Sequence, residues 1–403
     1  MATIVDVRLE RVRLPFCVPL RLGRGQTTAR DLLLVGVMSD EGPVGWGEVV
    51  ALAPMRDLVA LARSLREALL RRPVDQGAEG VEAGGPDGDR GPHGDLSRIA
   101  PSATAFGDPV GPAGEGAAGE GAAGRAVQAG FEAALLDLVG RLAGRPMAAL
   151  LAESVRKAVP VNGFVDTTGL APAAVADECR AITKTGIRTL KLKVEPGLDR
   201  TLRVLRAVRA AVGPDVALRL DLNGLLPEAE AAAWLRALEW ADLEYVEQPI
   251  APEEGHEALT RLRRTSPVPI AVDEAVTDAA AAEALVAAGA CDVLVVKPSR
   301  VGGPRAARAI ASAAAERGID VVVSTLYETG IGLTAALQVA ATLPGGRAHG
   351  LATLELLADD LIEEGLDVRD GTMALPSGPG LGVGIDTAAV ARYRLGVPDE
   401  EGP

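Results

Sequence analysis

The sequence is poor in cysteine, which limits how the fold can be cross-linked or hold a soft metal ion. Its three cysteines, Cys17, Cys179 and Cys291, are far apart, and none forms a pair with the spacing of a zinc site. An odd number at wide spacing also argues against a disulfide framework. This usage is typical of reduced, buried thiols in a cytoplasmic protein.

Long apolar runs and an excess of positive charge are also lacking. No stretch reaches the roughly 18 apolar residues of a membrane span, and the first residues alternate apolar and charged side chains, unlike a signal peptide. The net charge of −14 argues against a nucleic-acid or anionic-membrane partner. A small anionic substrate stays compatible, because a metal ion and lysines can reverse the field inside a cleft. The sequence leaves open whether the chain forms a homo-oligomer.

Aromatic residues make up only 2% of the 403 residues, so Ala, Leu, Val and Gly must fill a core that the 48% apolar composition makes large. Residues 75–124 are an exception, with 14 glycines and 5 prolines. Such a segment buries too little apolar surface to offset the entropy cost of ordering it. We interpret it as a flexible surface insertion, with a binding arm as the alternative.

The patterning of the remaining chain predicts an α/β protein with three parts. Residues 1–150, apart from the insertion, read as antiparallel strands and amphipathic helices, an α+β domain. Residues 151–369 alternate strand-like and helical stretches, which predicts a modified, TIM-like (β/α) barrel rather than an open sheet. Residues 370–403 are rich in Gly and Pro, and we expect them to pack back on the N-terminal domain.

Charged residues close five successive strand-like stretches of the predicted barrel. Each step between them is about one strand plus one helix, so their side chains are expected to meet at one end of the barrel. A lysine two residues before the first of them points to the same face of its strand. The five residues, at steps of 28, 26, 26 and 24, are Lys193, Asp221, Glu247, Asp273 and Lys297, and the additional lysine is Lys191.

Three carboxylates on neighbouring strands repel one another unless a cation joins them. Because Asp221, Glu247 and Asp273 are hard oxygen ligands with no His or Cys nearby, they favour Mg²⁺, with Mn²⁺ as a substitute. The simpler alternative is that each carboxylate caps the helix that follows it, and that the lysines are solvated or ion-paired. Asn223 and Glu274 are candidates for supporting the metal ligands or for capping helices.

At these residues the chain resembles the enolase superfamily, in its muconate-lactonizing-enzyme subgroup. The pattern is Lys-x-Lys, Asp, Glu, Asp and Lys on the second to sixth barrel strands, and the GWGE strands with the helix at 125–142 resemble the family's capping domain. The resemblance implies a small carboxylate substrate bound to Mg²⁺ on the three carboxylates. A lysine would remove the proton alpha to the substrate carboxylate, and the metal would stabilise the enediolate that forms.

Within the subgroup the chain is most similar to the o-succinylbenzoate synthase branch. The similar segments are Arg219-x-Asp221-x-Asn223, Ser324-Thr325, Glu328-Thr-Gly-Ile-Gly332 and Gly350-Leu-Ala-Thr353. The resemblance implies syn dehydration to 2-succinylbenzoate in menaquinone biosynthesis, with Lys193 as base, Lys297 as stabilising cation and Glu274 behind the metal ligands. The residues implied to contact substrate are Lys191, Arg219, Asn223, Ser324 and Gly350.

Some residues depart from that branch and leave alternatives open. Thr325 stands where the branch has a second serine, Tyr327 is bulky, and residues 376–386 are more similar to the epimerase and cycloisomerase branches. The alternative activities are those of an N-acylamino acid racemase, a dipeptide epimerase or a muconate cycloisomerase. A non-catalytic protein that uses the barrel as a scaffold is a further alternative, although it would be expected to lose part of the charged set.

Overall fold

The computed structural model describes residues 2–22, 25–74 and 117–396. Most of the predicted insertion, residues 75–116, lies outside the described residues. Its last part does not match the prediction, because residues 117–124 already belong to a helix. Among the helices of the described ranges, none has the length and apolarity needed to cross a membrane.

The N-terminal part is an antiparallel sheet covered on one side by helices. Its three long strands pair in sequence order, with Leu33 opposite Arg11 on one side and Val49 on the other. The elements are β1 (Ile4–Leu22), β2 (Gly25–Ser39), β3 (Val44–Val50), α1 (Met55–Leu69), α2 (Ala117–Ala143) and α3 (Ala148–Leu151).

Two glycines of the GWGE motif let helix α2 lie directly on strand β3. A Cβ atom at Gly45 or Gly47 would collide with the backbone carbonyls of Ala134 or Gly130. Because a side chain at either position would push the helix off the sheet, the motif fixes the spacing between these two layers.

The following residues repeat strand and helix. The elements are β4 (Ala158–Pro160), β5 (Gly163–Asp166), α4 (Pro172–Thr183), β6 (Thr189–Lys193), α5 (Leu198–Val212), β7 (Ala217–Asp221), α6 (Glu228–Ala237), β8 (Leu243–Glu247), α7 (Gly255–Thr265), β9 (Ile270–Val272), α8 (Ala279–Ala287), β10 (Val293–Val296), α9 (Pro298–Val301), α10 (Pro304–Glu316), β11 (Asp320–Val323) and α11 (Gly330–Ala340).

Seven of these strands, β5 to β11, form one parallel sheet in sequence order. The segment predicted as an eighth strand makes single bridges instead. Gly350 pairs with Ser324 beyond β11, and His349 pairs with Val161 before β5. These two bridges join the edges of the sheet, so the predicted barrel with an N-terminal capping domain is confirmed.

The end of the chain returns to both earlier parts through β12 (Val368–Arg369), β13 (Thr372–Ala374), α12 (Thr387–Tyr393) and β14 (Arg394–Leu395). Strand β13 pairs with β4, and β14 pairs with β1 of the N-terminal sheet. A buried apolar cluster between sheet and barrel combines side chains of β1 and β2 with Ile331, Leu357 and Leu381. This cluster fixes the capping domain over one end of the barrel.

Candidate active site

The charged residues singled out by their spacing lie together at one edge of the parallel sheet. Lys193, Asp221 and Glu247 are the last residues of β6, β7 and β8, and they are register partners across both strand pairs. Asp273 follows β9 directly, and Lys297 follows β10 directly. All five are buried. They therefore lie at the carboxyl end of the strands, where barrels of this kind carry their active sites.

Two lysines on the same face of β6 have opposite protonation preferences. Lys191 Nζ lies 2.9 Å from Asp221 Oδ2 and donates to Glu247 Oε1 at 2.6 Å. Burial alone would lower the pKa of Lys191, but these carboxylates outweigh burial and hold its pKa well above the usual value. Burial lowers the pKa of Lys193, although Asp221 and Asp166 oppose the shift. Lys191 therefore stays protonated, whereas Lys193 is the lysine more readily deprotonated to act as a base.

Asp273 holds two cations. Lys297 Nζ donates to its Oδ2 at 2.5 Å, and Arg300 Nη1 donates to its Oδ1 at 2.8 Å. Burial would raise the pKa of Asp273, but Lys297 and Arg300 outweigh burial and keep its pKa well below the usual value. Sequence reasoning missed Arg300. Arg300 follows Lys297 by three residues, a spacing that places two side chains on the same face of a helix. This spacing could have predicted that Arg300 lies near Lys297.

The three carboxylates were expected to share one metal ion. No three His, Cys, Asp or Glu side chains of the described residues are gathered as a metal site, and Lys191 instead bridges Asp221 and Glu247. Burial raises the pKa of Glu247 to about 8, and repulsion from the charges of Asp221 and Asp273 acts in the same direction. Lys191 opposes this shift. Its buried Oε2 has no hydrogen-bond partner among the described residues. A buried carboxylate oxygen without a partner needs a ligand, and three carboxylates that repel one another are stabilised by a cation between them. Oxygen ligands of this kind fit a hard divalent cation.

A cavity of about 200 Å³ opens beside these residues. Its wall combines charged side chains of the barrel with an arginine of the capping sheet and with apolar side chains. Tyr327 is part of that wall, and its ring makes edge-to-face contacts with Phe16 and Phe164. The charged lining residues are Arg30, Lys191, Lys193, Asp221, Asp273, Glu274, Lys297 and Arg300.

Most residues predicted to contact substrate lie on the cavity wall. Asn223, Ser324 and Gly350 join Lys191 there. Asn223 also donates from Nδ2 to Glu274 Oε1 at 3.0 Å, so Glu274 is tied to the end of β7. A Cβ atom at Gly350 would lie 2.6 Å from the Ser324 hydroxyl, so a side chain here would require Ser324 to move.

Arg219 is the exception, and its predicted substrate contact is not what the structure shows. Its side chain is fully buried inside the barrel and does not line the cavity. Nε donates to Glu244 Oε2 at 2.7 Å, and Nη1 donates to Asn162 Oδ1 and to the Ala348 carbonyl at 2.9 and 2.8 Å. Residues i and i+2 of a strand point to the same face but lie two residues apart along the strand axis. Arg219 therefore lies one layer deeper in the barrel than Asp221, farther from the carboxyl end of β7.

Comparisons with known proteins agree with this geometry. Residues 174–389 match the family model described as "Enolase C-terminal domain-like". The chain belongs to the enolase superfamily. An N-succinylamino acid racemase of Amycolatopsis sp is 30% identical over 405 aligned residues, which cover 97% of this chain and 98% of the relative. The relatives named below, together with this one, place the chain in the muconate-lactonizing-enzyme subgroup of the superfamily.

Two further superfamily members are similar over different lengths. The o-succinylbenzoate synthase of Thermobifida fusca (strain YX) is 41% identical over 216 residues, which cover 53% of this chain and 65% of that enzyme. The solved structure of muconate lactonizing enzyme from Pseudomonas fluorescens, complexed with muconolactone, has a TM-score of 0.83 and 25% identity, and covers 98% of this chain and 100% of that one.

Proposed function

We propose that this enolase-superfamily protein removes the proton alpha to a substrate carboxylate, with Lys193 as the base. The observation that carries the proposal is the pair of lysines on β6. Lys191 is held charged by two carboxylates, while burial favours the neutral form of Lys193, and both line the same cavity. A base with a lowered pKa beside fixed positive charges is the arrangement that carbon-acid chemistry needs.

The metal and the second lysine would share the stabilisation of negative charge. Asp221, Glu247 and Asp273 would hold Mg²⁺, which as a Lewis acid stabilises charge on a substrate carboxylate. Lys297 lines the same cavity and is held by Asp273, so its ammonium group is fixed in orientation. A fixed cation of this kind stabilises charge that develops during proton removal without having to reorganise.

The finer proposal is o-succinylbenzoate synthase activity in menaquinone biosynthesis. Lys193 would take the proton from C1 of 2-succinyl-6-hydroxy-2,4-cyclohexadiene-1-carboxylate. The electron pair left at C1 would expel the hydroxyl group, which leaves as water with the proton that Lys193 returns, and the ring becomes aromatic. Support comes from the 41% identity to the Thermobifida enzyme and from Asn223, Ser324 and Gly350 on the cavity wall.

A second candidate is racemisation of N-succinylamino acids. It is favoured by the relative that matches 97% of this chain and by the position of both Lys193 and Lys297 on one cavity. In this reaction one lysine would remove the alpha proton and the other would deliver a proton to the opposite face. Lys297 would then be a base or acid, rather than a stabilising cation alone.

A parallel assay with Lys297→Arg separates the two candidates. Purified enzyme with Mg²⁺ is given the cyclohexadiene carboxylate and, separately, single enantiomers of N-succinylamino acids, and the specificity constants are compared. We expect a higher kcat/KM for dehydration, and we expect Lys297→Arg to retain part of it because the positive charge is kept. Racemisation without measurable dehydration would overturn the finer proposal but keep lysine-based proton removal. Turnover of neither substrate class would overturn both.

A further inference from the structure

Arg30 is a capping-domain side chain that reaches the cavity of the barrel. It lies on the face of β2 whose next members, Leu32 and Leu34, pack into the apolar cluster between the two parts of the molecule. Extending the register of Leu32 with Val50 by two residues places Arg30 opposite Leu52, which also lines the cavity. An apolar residue would continue this face, so an arginine here is not explained by packing.

The Nε of Arg30 is buried and has no hydrogen-bond partner among the described residues. The adjacent Asp31 is engaged by Arg13, whose Nε donates to it at 2.8 Å. The nearby Glu48 and Glu328 accept their hydrogen bonds from other donors, among them Thr329. Burial lowers the pKa of Arg30, although Glu328 and Glu48 oppose the shift. A buried guanidinium N–H without an acceptor is costly unless a ligand supplies one.

The rest of this wall indicates what such a ligand contains. Leu52, Phe164, Leu326 and the ring of Tyr327 give the cavity an apolar part of its surface. Even with Lys193 left out as the neutral base, the lining holds four cationic side chains against three carboxylates, so its net positive charge favours an anionic ligand. A short apolar chain that ends in an anion matches both features.

We propose that Arg30 is a specificity-determining residue that binds a second carboxylate, at the end of a short apolar chain on the substrate. This inference rests on the proposed function, since it takes the first carboxylate to be the one that is enolised. It assigns a residue to the recognition of the succinyl carboxylate that the substrates of both candidate reactions carry. Arginine suits the role because its planar, always-charged fork binds a carboxylate through two hydrogen bonds.

The test compares two ligands that differ in the terminal carboxylate. Binding of 2-succinylbenzoate and of 2-butanoylbenzoate is measured by calorimetry with Mg²⁺, for the unmodified chain, Arg30→Met and Arg30→Lys. We expect the unmodified chain to prefer the succinyl compound, and Arg30→Met to reduce the ratio of the two dissociation constants by roughly 10- to 100-fold, as for a lost hydrogen bond to a charged group. Arg30→Lys keeps the charge and should retain part of the preference.

Arg8→Met is the matched control, because Arg8 is an exposed arginine of the same sheet outside the cavity, and it should leave the ratio unchanged. An equal loss for both ligands in Arg30→Met, or no preference in the unmodified chain, overturns the proposal. If Arg30→Met does not fold, loss of the whole preference in a folded Arg30→Lys also overturns it. Binding needs no turnover, so failure of the proposed dehydration would show in the kinetic assay while this ratio still reports on Arg30.

Discussion

Glu48 of the capping sheet caps a helix of the barrel through Thr329. Its Oε1 accepts from the Thr329 backbone N–H at 3.1 Å, and its Oε2 accepts from the Thr329 hydroxyl at 2.5 Å and from the Gly332 N–H at 3.2 Å. These donors lie at the start of α11, where backbone N–H groups lack partners within the helix. Because Tyr327 of the cavity wall lies two residues before Thr329, the contact holds the wall in place as well as the two domains together.

The Glu48 contact predicts a pH dependence of stability. Burial raises the pKa of Glu48 to about 7, and Glu328 pushes in the same direction against the hydrogen bonds from Thr329. The unfolded chain loses this proton near the usual value of 4.5, while the folded chain keeps it until about 7. The free energy of unfolding therefore falls as pH rises between these values, by up to about 3 kcal/mol.

Urea unfolding of the unmodified chain and Glu48→Gln at pH 5 and pH 8 measures this effect. The neutral amide cannot titrate, so the variant should lose the Glu48 share of the decline. Burial also raises the pKa of Glu132 to about 7, so Glu132→Gln removes a separate share and serves as the comparison. Equal pH dependence in Glu48→Gln and the unmodified chain would show that Glu48 does not titrate in this range.

Substituting Lys193 tests the assigned base. Lys193→Ala should abolish measurable turnover, because no other described side chain combines the end of β6 with a lowered lysine pKa. General base catalysis alone contributes about 10²–10⁴-fold. Lys184→Ala, an exposed lysine after α4, is the matched control and should keep full activity. Both variants should show the far-ultraviolet circular dichroism of the unmodified chain, and substantial activity in a folded Lys193→Ala would reject the assigned role.

Removal of divalent metal tests the three-carboxylate site. Chelation followed by gel filtration should silence the enzyme, and Mg²⁺ or Mn²⁺ should restore it. Added metal should also raise the midpoint of thermal unfolding, since an ion that binds only the folded state stabilises it. Glu247→Gln should weaken both responses, because it removes the charge of a buried carboxylate. Full turnover in metal-free buffer would contradict the site.

The regular spacing made the barrel and its five charged residues predictable from the sequence. One strand and one helix have nearly constant lengths, so a repeated step of about 25 residues places Lys193, Asp221, Glu247, Asp273 and Lys297 at one height. The resemblance to the enolase superfamily is confirmed by the family match. The catalytic and metal-binding roles of these five residues stay predictions until the substitutions above are measured.

The sequence did not predict how far from the end of its strand a side chain lies, or which residues make contacts between the two domains. Arg219 and Asp221 share a face, and only the packed barrel shows that Arg219 meets Glu244 rather than the cavity. Arg30 and Glu48 reach the barrel from strands far earlier in the chain, so no local spacing relates them to it. The start of α2 at Ala117 was missed because three of its first eight residues are glycines, which lower helix propensity, although its alanines favour a helix.

Substituting Arg219 separates a structural role from substrate binding. Arg219→Met should lower the free energy of unfolding by about 1–3 kcal/mol, because it leaves Asn162 Oδ1 and the Ala348 carbonyl without their buried donor, while Glu244 keeps only Arg347. The KM of the folded fraction, measured at low temperature, should change little. A stable variant with a strongly raised KM would restore the predicted substrate contact of Arg219. Urea unfolding and steady-state kinetics together decide between the two.

A matched pair of deletions tests what the Gly- and Pro-rich segment contributes. Replacing residues 75–116 with a Gly-Ser linker should preserve turnover, because the charged set lies on strands between residues 189 and 297. Replacing 75–124 with the same linker should cost about 1–3 kcal/mol, since it also removes the first turns of α2 and the buried Ala123. If the shorter deletion folds, binds metal and yet loses turnover, the segment acts as an arm in the reaction, and its interpretation as an insertion dispensable for chemistry is wrong.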